Sequence, residues 1–473
     1  MIICRIPLTC RFWKRISLSV VGITTPTKAF SHATGQSFIA LLPTGPYIAL
    51  GVLIVALSLM LVWFLPFQVP YKLFKKINLI EFRINSSTQE ISSFISFLFV
   101  VWGIQTGLNG TRDPLENPLT LGFWVAFWMA APMIQGYLFN LWGWISPWQW
   151  AVKPLTILLS RPWLKLPDQA GILPAVAILL MFSAFTLADP APDDPARLAS
   201  VLTVYMTMTF SGMVVFGPER WLERVEFFSV MMVQLKRLAL FAQRGDKLCA
   251  GWLGWQFKDN IKIFRGISIF ILVLLGTGSF DGLNETFFWF DQIGVNPLDF
   301  PGRSAVVIPV VIGLLSANLI LIGLFIIMIT IGNRLASGHL NTTTLLNAFA
   351  PTVLPIALAY HTAHYLPSLL VEGQYVLLAL NDPLGNGFNL LGLDGFYVTT
   401  GFFNHRETVR LIWLSQAFVI TLGHVISVIL AHLESVRIYG DSVRAVYAGL
   451  PVAIFMVLYT WLGLWLLAAP KIS

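Results

Sequence analysis

Two histidines one helical turn apart lie inside a long apolar run of the sequence. His361 and His364 occur in AYHTAHYLPSLL, and a later apolar run carries His424 and His432. Residues three apart on an α-helix differ by about 60° in projection, so the rings of His361 and His364 project from one face. Ionisable groups at membrane depth are costly to bury and usually functional. Chemistry is therefore expected on these two runs.

His424, counted inward from the outer end of its run, reaches a depth similar to that of His361 and His364. Three imidazoles are then expected to converge on one metal ion. Imidazole suits zinc, copper and iron, and three protein ligands leave a position for water or substrate. Two other interpretations stay open: haem b held between His364 and His424, or structural and proton-relay histidines. His432 lies eight residues further on, about 12 Å toward the cytoplasm, near Glu434.

Two carboxylates are candidates to act beside the metal. Asp281 follows an apolar run in SFDGL and is expected to be a ligand or to orient one. Glu372 lies eleven residues after His361, about 20° from it in projection and some 16 Å nearer the outside. Glu372 is thus expected at the mouth of the site. Asp281 and Glu372 are the candidate catalytic residues.

Composition sets the class of protein that holds these residues. Hydrophobic residues make up 56% of the 473 residues and charged residues 11%, which no soluble domain of this size shows. Windows of about 20 apolar residues predict ten membrane spans. The windows cover residues 47–64, 91–108, 119–141, 170–187, 198–216, 264–280, 305–331, 354–378, 411–432 and 446–467. The predicted fold is an all-α membrane bundle with interfacial amphipathic helices, in segments that begin at Phe216 and Tyr71.

Basic residues set the expected orientation. Of the 30 Lys and Arg residues, 19 fall in loops on one side of the predicted bundle, 6 on the other side and 5 in the first 31 residues. The positive-inside rule places the richer side in the cytoplasm of a bacterial inner membrane and the mature N-terminus in the periplasm. The net charge of +7 then reports topology and not nucleic-acid binding. The expected partner is the lipid bilayer.

The first 31 residues have the pattern of a signal peptide, with basic residues followed by the apolar run ISLSVVGI. Residues 32–473 then form a single polytopic membrane domain; an uncleaved amphipathic N-terminus is the alternative. Cleavage after Ser31 exposes His32, and a terminal histidine can chelate copper. Cys249 is the one cysteine outside this segment, so a metal must use histidine and carboxylate ligands. P-loop, GxGxxG and GxSxG motifs are absent.

Several segments together resemble one family. They are GTRDPLENPLTLGFWVAFW, FGPERWLERVEFFSV, SFDGL, AYHTAHYLPSLLVEGQY and GHVISVILAH. These segments resemble the bacterial multi-spanning proteins known as fenitrothion hydrolases, the membrane subunits of a heteromeric organophosphate hydrolase. The resemblance runs from about Ser31 to the C-terminus, with Ala33 where glycine commonly follows the first histidine of the family. It implies attack of water on a phosphorothioate triester and a second membrane subunit as partner.

The resemblance can be joined to the histidine cluster. His361, His364 and His424 would hold the metal, with Asp281 or Glu372 as the base. Two other classes fit the same residues. A metal-handling protein would take copper or a similar ion from the periplasm and pass it inward, and an electron carrier would hold a haem between two histidines.

Overall fold

The computed structural model describes residues 42–471, apart from 65–67, 82–84, 160, 260–261, 300–301, 384–385, 394 and 441. The predicted signal peptide, residues 1–31, and His32 lie outside the described residues. Those two expectations stay predictions.

The protein is a multi-pass, all-α membrane protein, as its composition predicts. Each of the ten apolar windows is a helix in the structure. Among the described residues, nine helices are long and apolar enough to cross a bilayer, and a further apolar helix, Leu173–Ala188, has 16 residues. The ten are α1 (Thr44–Phe64), α2 (Ser86–Asn109), α3 (Pro118–Tyr137), α4 (Leu173–Ala188), α5 (Pro195–Phe216), α6 (Ile267–Asn284), α7 (Val307–Leu335), α8 (Leu354–Asn381), α9 (Arg406–Tyr439) and α10 (Ser442–Ala468).

Shorter elements connect these spans. The short α-helices are Gln68–Leu73, Trp142–Ile145, Gln149–Leu159, Pro218–Arg224, Phe227–Leu235, Phe287–Gln292 and Thr342–Phe349. The 3₁₀ turns are Asp168–Ala170, Trp255–Lys258, Pro297–Asp299, Arg303–Val306, Ala350–Val353 and Gly401–Asn404.

A small antiparallel sheet lies at one end of the bundle. Its strands are β1 (Ile77–Glu81), β2 (Phe241–Arg244) and β3 (Lys247–Ala250), with β3 in the middle. The expected interfacial helix from Tyr71 is therefore a strand in its second part, because β1 finds hydrogen-bonding partners on β3. We call the end of the bundle that carries this sheet the sheet side, and the opposite end the far side.

Ion pairs between loops show that the spans alternate between these two sides. On the sheet side Arg224, after α5, lies 2.9 Å from Asp168, before α4. On the far side Arg112, after α2, lies 3.3 Å from Asp194, before α5. Exposed pairs of this kind add little stability. These two pairs show that the loops next to Arg224 and Asp168 lie on one side of the bundle, and that the loops next to Arg112 and Asp194 lie on the other.

The segment after α5 divides into two unlike halves. Pro218–Arg224 has the exposed charged face of an interfacial helix, whereas in Phe227–Leu235 every residue except Val233 is buried. Glu226 begins the buried half because its carboxylate accepts hydrogen bonds from the backbone N–H groups of Phe228 and Ser229. Trp142 donates its indole N–H to the Ser229 hydroxyl, so this tryptophan packs inside the bundle.

Helix α3 is locally widened where it meets α8. Residues Leu121–Ala130 form a π-helix, and Pro132 follows without a backbone N–H to donate. Such widened turns often occur at functional sites. A Cβ atom at Gly136 would lie 2.4 Å from the Leu358 side chain, so the glycine lets α3 and α8 approach closely. This contact brings the backbone of α3 beside the histidines of α8.

Candidate metal centre

Three side chains, from the end of α6, the residue after it and α8, bring their ligand atoms together. One ligand atom from each of Asp281, Glu285 and His364 lies within 4.8 Å of the others. His364 Nε2 is 3.2 Å from Asp281 Oδ2 and 4.0 Å from Glu285 Oε1. The side chains are 11–27% exposed, so they are shielded but within reach of solvent. One imidazole and two carboxylates form a donor set that can hold a divalent metal ion.

A close contact between α6 and α8 positions this group. Tyr360 lies one turn before His364 on α8, and a Cβ atom at Gly282 would lie 2.4 Å from its hydroxyl oxygen. A side chain at this point of α6 would displace the Tyr360 hydroxyl group. The packed ring sets the height of α8 relative to α6, which places His364 beside Asp281.

The two carboxylates are oriented by further hydrogen bonds. Tyr365 donates its hydroxyl to Asp281 Oδ2 at 3.1 Å, and Trp128 donates its indole N–H to the Tyr365 oxygen at 2.9 Å. Lys471 Nζ lies 2.9 Å from Glu285 Oε2. Two carboxylates thus lie near one ammonium group, which leaves a net negative charge that a bound cation can balance.

His361 lies next to this group but has a different partner. Its Nε2 is 3.2 Å from the Met129 carbonyl oxygen of α3. A carbonyl oxygen only accepts hydrogen bonds, so Nε2 carries the proton and Nδ1 of the neutral ring keeps its lone pair. The Tyr365 ring contacts both imidazoles, with centroid distances of 4.8 Å to His361 and 4.7 Å to His364. His361 is therefore a neighbour of the metal-ligand group and not a member of it.

A cavity of about 60 Å³ adjoins the group and is lined by residues of α3, α4, α6, α8 and the buried helix Phe227–Leu235. Asp281, His361, His364 and Tyr365 supply polar atoms to its wall, and the rest of the wall is mostly apolar. The volume is enough for water molecules but below that of most ligand pockets. No family model, curated protein or solved structure matches the chain.

The structure does not bring His424 to the other two histidines. His424 is buried on α9, where its Nδ1 lies 2.9 Å from the Ile420 carbonyl oxygen. No hydrogen bond, ion pair or ring contact in the described chain joins it to His361 or His364, and it is not among the residues that line the cavity. The depths agree, because His424 lies 18 residues (424 − 406) from the far-side start of α9, and His361 and His364 lie 20 (381 − 361) and 17 (381 − 364) residues from the far-side end of α8. The ring of His424 instead lies beside Tyr459 of α10, at a centroid distance of 6.4 Å.

The two candidate catalytic carboxylates, Asp281 and Glu372, differ in their position relative to the ligand group. Asp281 lies in the ligand group, as a ligand or orienting carboxylate should. Glu372 is half-buried on α8, eight residues beyond His364 and past the internal Pro367, and is not part of the group. Its expected place at the mouth of the site stays a prediction.

Sequence reasoning also misses two residues of the site. Glu285 follows Asp281 by four residues, and this spacing places both carboxylates on one helical face. This spacing can be read from the sequence, but Glu285 lies beyond the apolar window 264–280 and was not selected for that reason. Lys471 carries no comparable signal, because tertiary contacts at the C-terminal end of the chain bring it to Glu285.

Proposed function

We propose that this membrane protein binds a divalent metal ion at Asp281, Glu285 and His364 and uses it to hydrolyse apolar phosphotriesters. The observation that carries the proposal is the meeting of three ligand atoms within 4.8 Å beside a mostly apolar cavity. The resemblance to fenitrothion hydrolases supplies the substrate class. Three protein ligands leave a coordination position for water.

The distances fit such an ion. Ligands about 2.0–2.2 Å from a tetrahedral metal lie roughly 3.4 Å from one another. His364 and Asp281 already have this separation at 3.2 Å, and Glu285, at 4.0 Å, needs a small side-chain adjustment. Nitrogen and carboxylate donors suit zinc, manganese or iron(II) better than copper(I), which prefers sulfur. The donor set thus favours a hydrolytic centre over copper(I) handling.

Each neighbouring side chain has a part in this chemistry. A zinc ion held there would lower the pKa of its water toward ~7 and so would supply hydroxide at neutral pH. His364 would bind a cation through the Nε2 lone pair of the neutral ring, in the tautomer that carries its proton on Nδ1. Tyr365 holds the Asp281 carboxylate in place, and Lys471 pairs with Glu285 and offsets part of its negative charge. His361 offers the Nδ1 lone pair as a proton acceptor beside the cavity.

The apolar wall suits a substrate that partitions into the bilayer. At about 60 Å³ the cavity must widen to admit a triester. Met231, which lines it, has an unbranched and adaptable side chain. The reacting phosphorus would approach Asp281 and His364, and the apolar substituents would lie against the leucines of α4 and α6.

We also propose that the sheet side faces the cytoplasm of a bacterial inner membrane and the far side faces the periplasm. The 19 to 6 distribution of basic residues supports this orientation. The metal centre, near the far-side end of α6, then opens toward the periplasm. Reporter fusions should place Asp193 in the periplasm and Arg244 in the cytoplasm; the reverse result would overturn the orientation.

Elemental analysis and a hydrolysis assay on two matched variants test the function. Glu285→Gln removes one ligand charge at the site, and Glu116→Gln makes the same change at an exposed far-side position. The wild type and Glu116→Gln should retain about one metal ion per chain and hydrolyse a nitrophenyl phosphotriester. Glu285→Gln should lose most of both.

Two results would count against the proposal in different ways. A wild-type protein that takes up no zinc, manganese or iron(II) would overturn the metal centre. A protein that binds metal through Glu285 but cleaves no triester would leave the metal centre standing and remove the hydrolase assignment.

A further inference from the structure

The cavity beside the metal-ligand group extends well beyond the group itself. On three helices its wall includes residues between 179 and 187 of α4, between 274 and 281 of α6, and between 357 and 365 of α8. A stretch of this kind is about 10–12 Å long at the rise of an α-helix. Because α4, α6 and α8 all run from the sheet side to the far side, the cavity extends along the axis of the bundle.

Polar and apolar side chains line opposite ends of this cavity. At the far-side end the wall contains Asp281 and His364. At the sheet-side end it contains Leu274 of α6, together with Met231 and Leu235 from the short buried helix that follows α5. Apolar side chains offer water no hydrogen-bond partners, so this end suits hydrocarbon better than water. The cavity therefore matches a ligand with a polar head at the metal-ligand group and an apolar part deeper in the bundle.

The cavity is also narrow. Its volume of about 60 Å³ is that of roughly four to six water-sized spheres. Over a length of about 10 Å, this is room for roughly one file of atoms. An unbranched alkyl chain has this shape, whereas a ring or a branched chain is wider. A chain of this shape would make dispersion contacts with the wall along its whole length.

Gly278 lies halfway along the cavity wall on α6, between Leu274 and Asp281. Apart from its adjacent residues and the backbone of its own helix, a Cβ atom at this position would meet one atom of the described chain within 4 Å. That atom is Tyr360 Cδ1, at 3.7 Å, which is an ordinary van der Waals distance. The space beside Gly278 thus belongs to the cavity, and a larger side chain there would narrow the cavity at its middle.

We propose that this cavity holds one unbranched alkyl chain of the substrate. The phosphoester head would lie at Asp281, Glu285 and His364, and the end of the chain would lie near Met231 and Leu235. The inference deepens the proposed function and rests on it for the reacting group, whereas the place of the chain follows from the cavity wall. The substrate class is then a triester with one linear chain, and the sheet-side end of the cavity limits the length of that chain.

Binding of triesters that lack a good leaving group tests the chain site separately from hydrolysis. The ligands are diethyl alkyl phosphates with an ethyl, butyl, hexyl or octyl chain, and the full-length protein is held in phosphatidylcholine nanodiscs. Calorimetry gives the affinities, and empty nanodiscs correct for partition into the lipid. A parallel assay measures kcat/KM on nitrophenyl triesters with the same chains. In that reaction a water oxygen bonds to phosphorus and the bond to the nitrophenolate oxygen breaks, and the phosphodiester and nitrophenol together carry the two protons of the water.

Gly278→Val should lower the ratio of octyl to ethyl affinity about tenfold, because extra methyl groups in a filled space carry a cost of that order. The matched control is Gly323→Val, which makes the same change on α7, where a Cβ atom would meet nothing within 4 Å. This control should keep the wild-type ratio. Met231→Ala removes bulk at the sheet-side end and should shift the ratio in the opposite direction, toward the octyl chain.

If Gly278→Val does not fold, Gly278→Ala replaces it in the same comparison, because its single methyl group fits at the Tyr360 contact distance. Equal octyl-to-ethyl ratios in the Gly278 and Gly323 variants would overturn the chain site, as would a wild-type protein that binds none of the ligands. A shifted ratio in a protein that cleaves no triester would support the chain site and remove the hydrolase assignment alone.

Discussion

Glu226 and Asp281 are both carboxylates inside the helical bundle, but different kinds of donor satisfy them. Glu226 accepts from the backbone N–H groups of Phe228 and Ser229 and from the Tyr205 hydroxyl. Asp281 accepts from the side chains of His364 and Tyr365. Backbone donors at a helix start cannot leave without unfolding the helix, whereas an imidazole nitrogen can bind either a proton or a metal ion.

The comparison shows that burial of a charge does not by itself mark a reactive site. Glu226 is fully buried and stabilises the start of Phe227–Leu235. Asp281 is partly accessible and has a second carboxylate, Glu285, one turn away. A carboxylate that shares its surroundings with a titratable ligand and another carboxylate can exchange partners. Glu226 has no such neighbour among its hydrogen-bond partners.

The largest effect on stability is expected at Glu226. Glu226→Ala leaves two backbone N–H groups and the Tyr205 hydroxyl without their acceptor, which should lower the free energy of unfolding by roughly 2–4 kcal/mol. Thermal unfolding in detergent measures this loss. Glu407→Ala, which removes a glutamate whose side chain is 79% exposed, is the control and should unfold with the wild type. Unfolding of Glu226→Ala at the wild-type temperature would contradict the structural role.

Asp281→Asn should have the opposite effect, a loss of metal binding with little change in stability. The amide keeps the shape of the side chain, and its oxygen can still accept a hydrogen bond from Tyr365, so the free energy of unfolding should change by less than about 1 kcal/mol. Metal retention should be lost, because the amide is a much weaker ligand than a carboxylate. Metal content and unfolding temperature, measured on the same sample, separate the two properties. Asp281→Asn protein that loses stability and keeps its metal would reverse the comparison.

The spans could be predicted from the sequence because apolar length is a strong local signal, and each of the ten windows is a helix. The buried helix Phe227–Leu235 could not, because its flanking charges, such as Arg224 and Lys236, give the segment the look of an interfacial helix. Its burial depends on the Glu226 cap and on the packing of Trp142. These are tertiary contacts that the local pattern does not record.

Part of the candidate site could be predicted from the sequence, because a polar residue within or beside an apolar run is a local signal. His364 and Asp281 each stand out as polar residues within or beside an apolar run, and both lie in the ligand group. His424 was selected for its depth, but depth does not tell which neighbouring helix a side chain faces, and the His424 ring lies beside Tyr459 of α10. Lys471 reaches the site through contacts at the end of the chain, which no spacing rule describes.

The smallest effect is expected at Lys471, on the metal affinity of the ligand group. This prediction tests how a neighbouring positive charge changes that affinity. The ammonium lies 2.9 Å from Glu285 Oε2, where it withdraws part of the negative charge that a metal would use. Lys471→Gln removes that competition and should tighten metal binding by roughly threefold to tenfold, equivalent to about 0.7–1.4 kcal/mol. Competition with a chelator of known affinity measures the change. Lys262→Gln, on the sheet side, makes the same substitution at a lysine paired with Glu223 and should leave the metal affinity unchanged. If Lys471→Gln binds metal more weakly, the ammonium instead holds Glu285 in the geometry that the ion requires, and the lysine supports the ligand rather than competing for it.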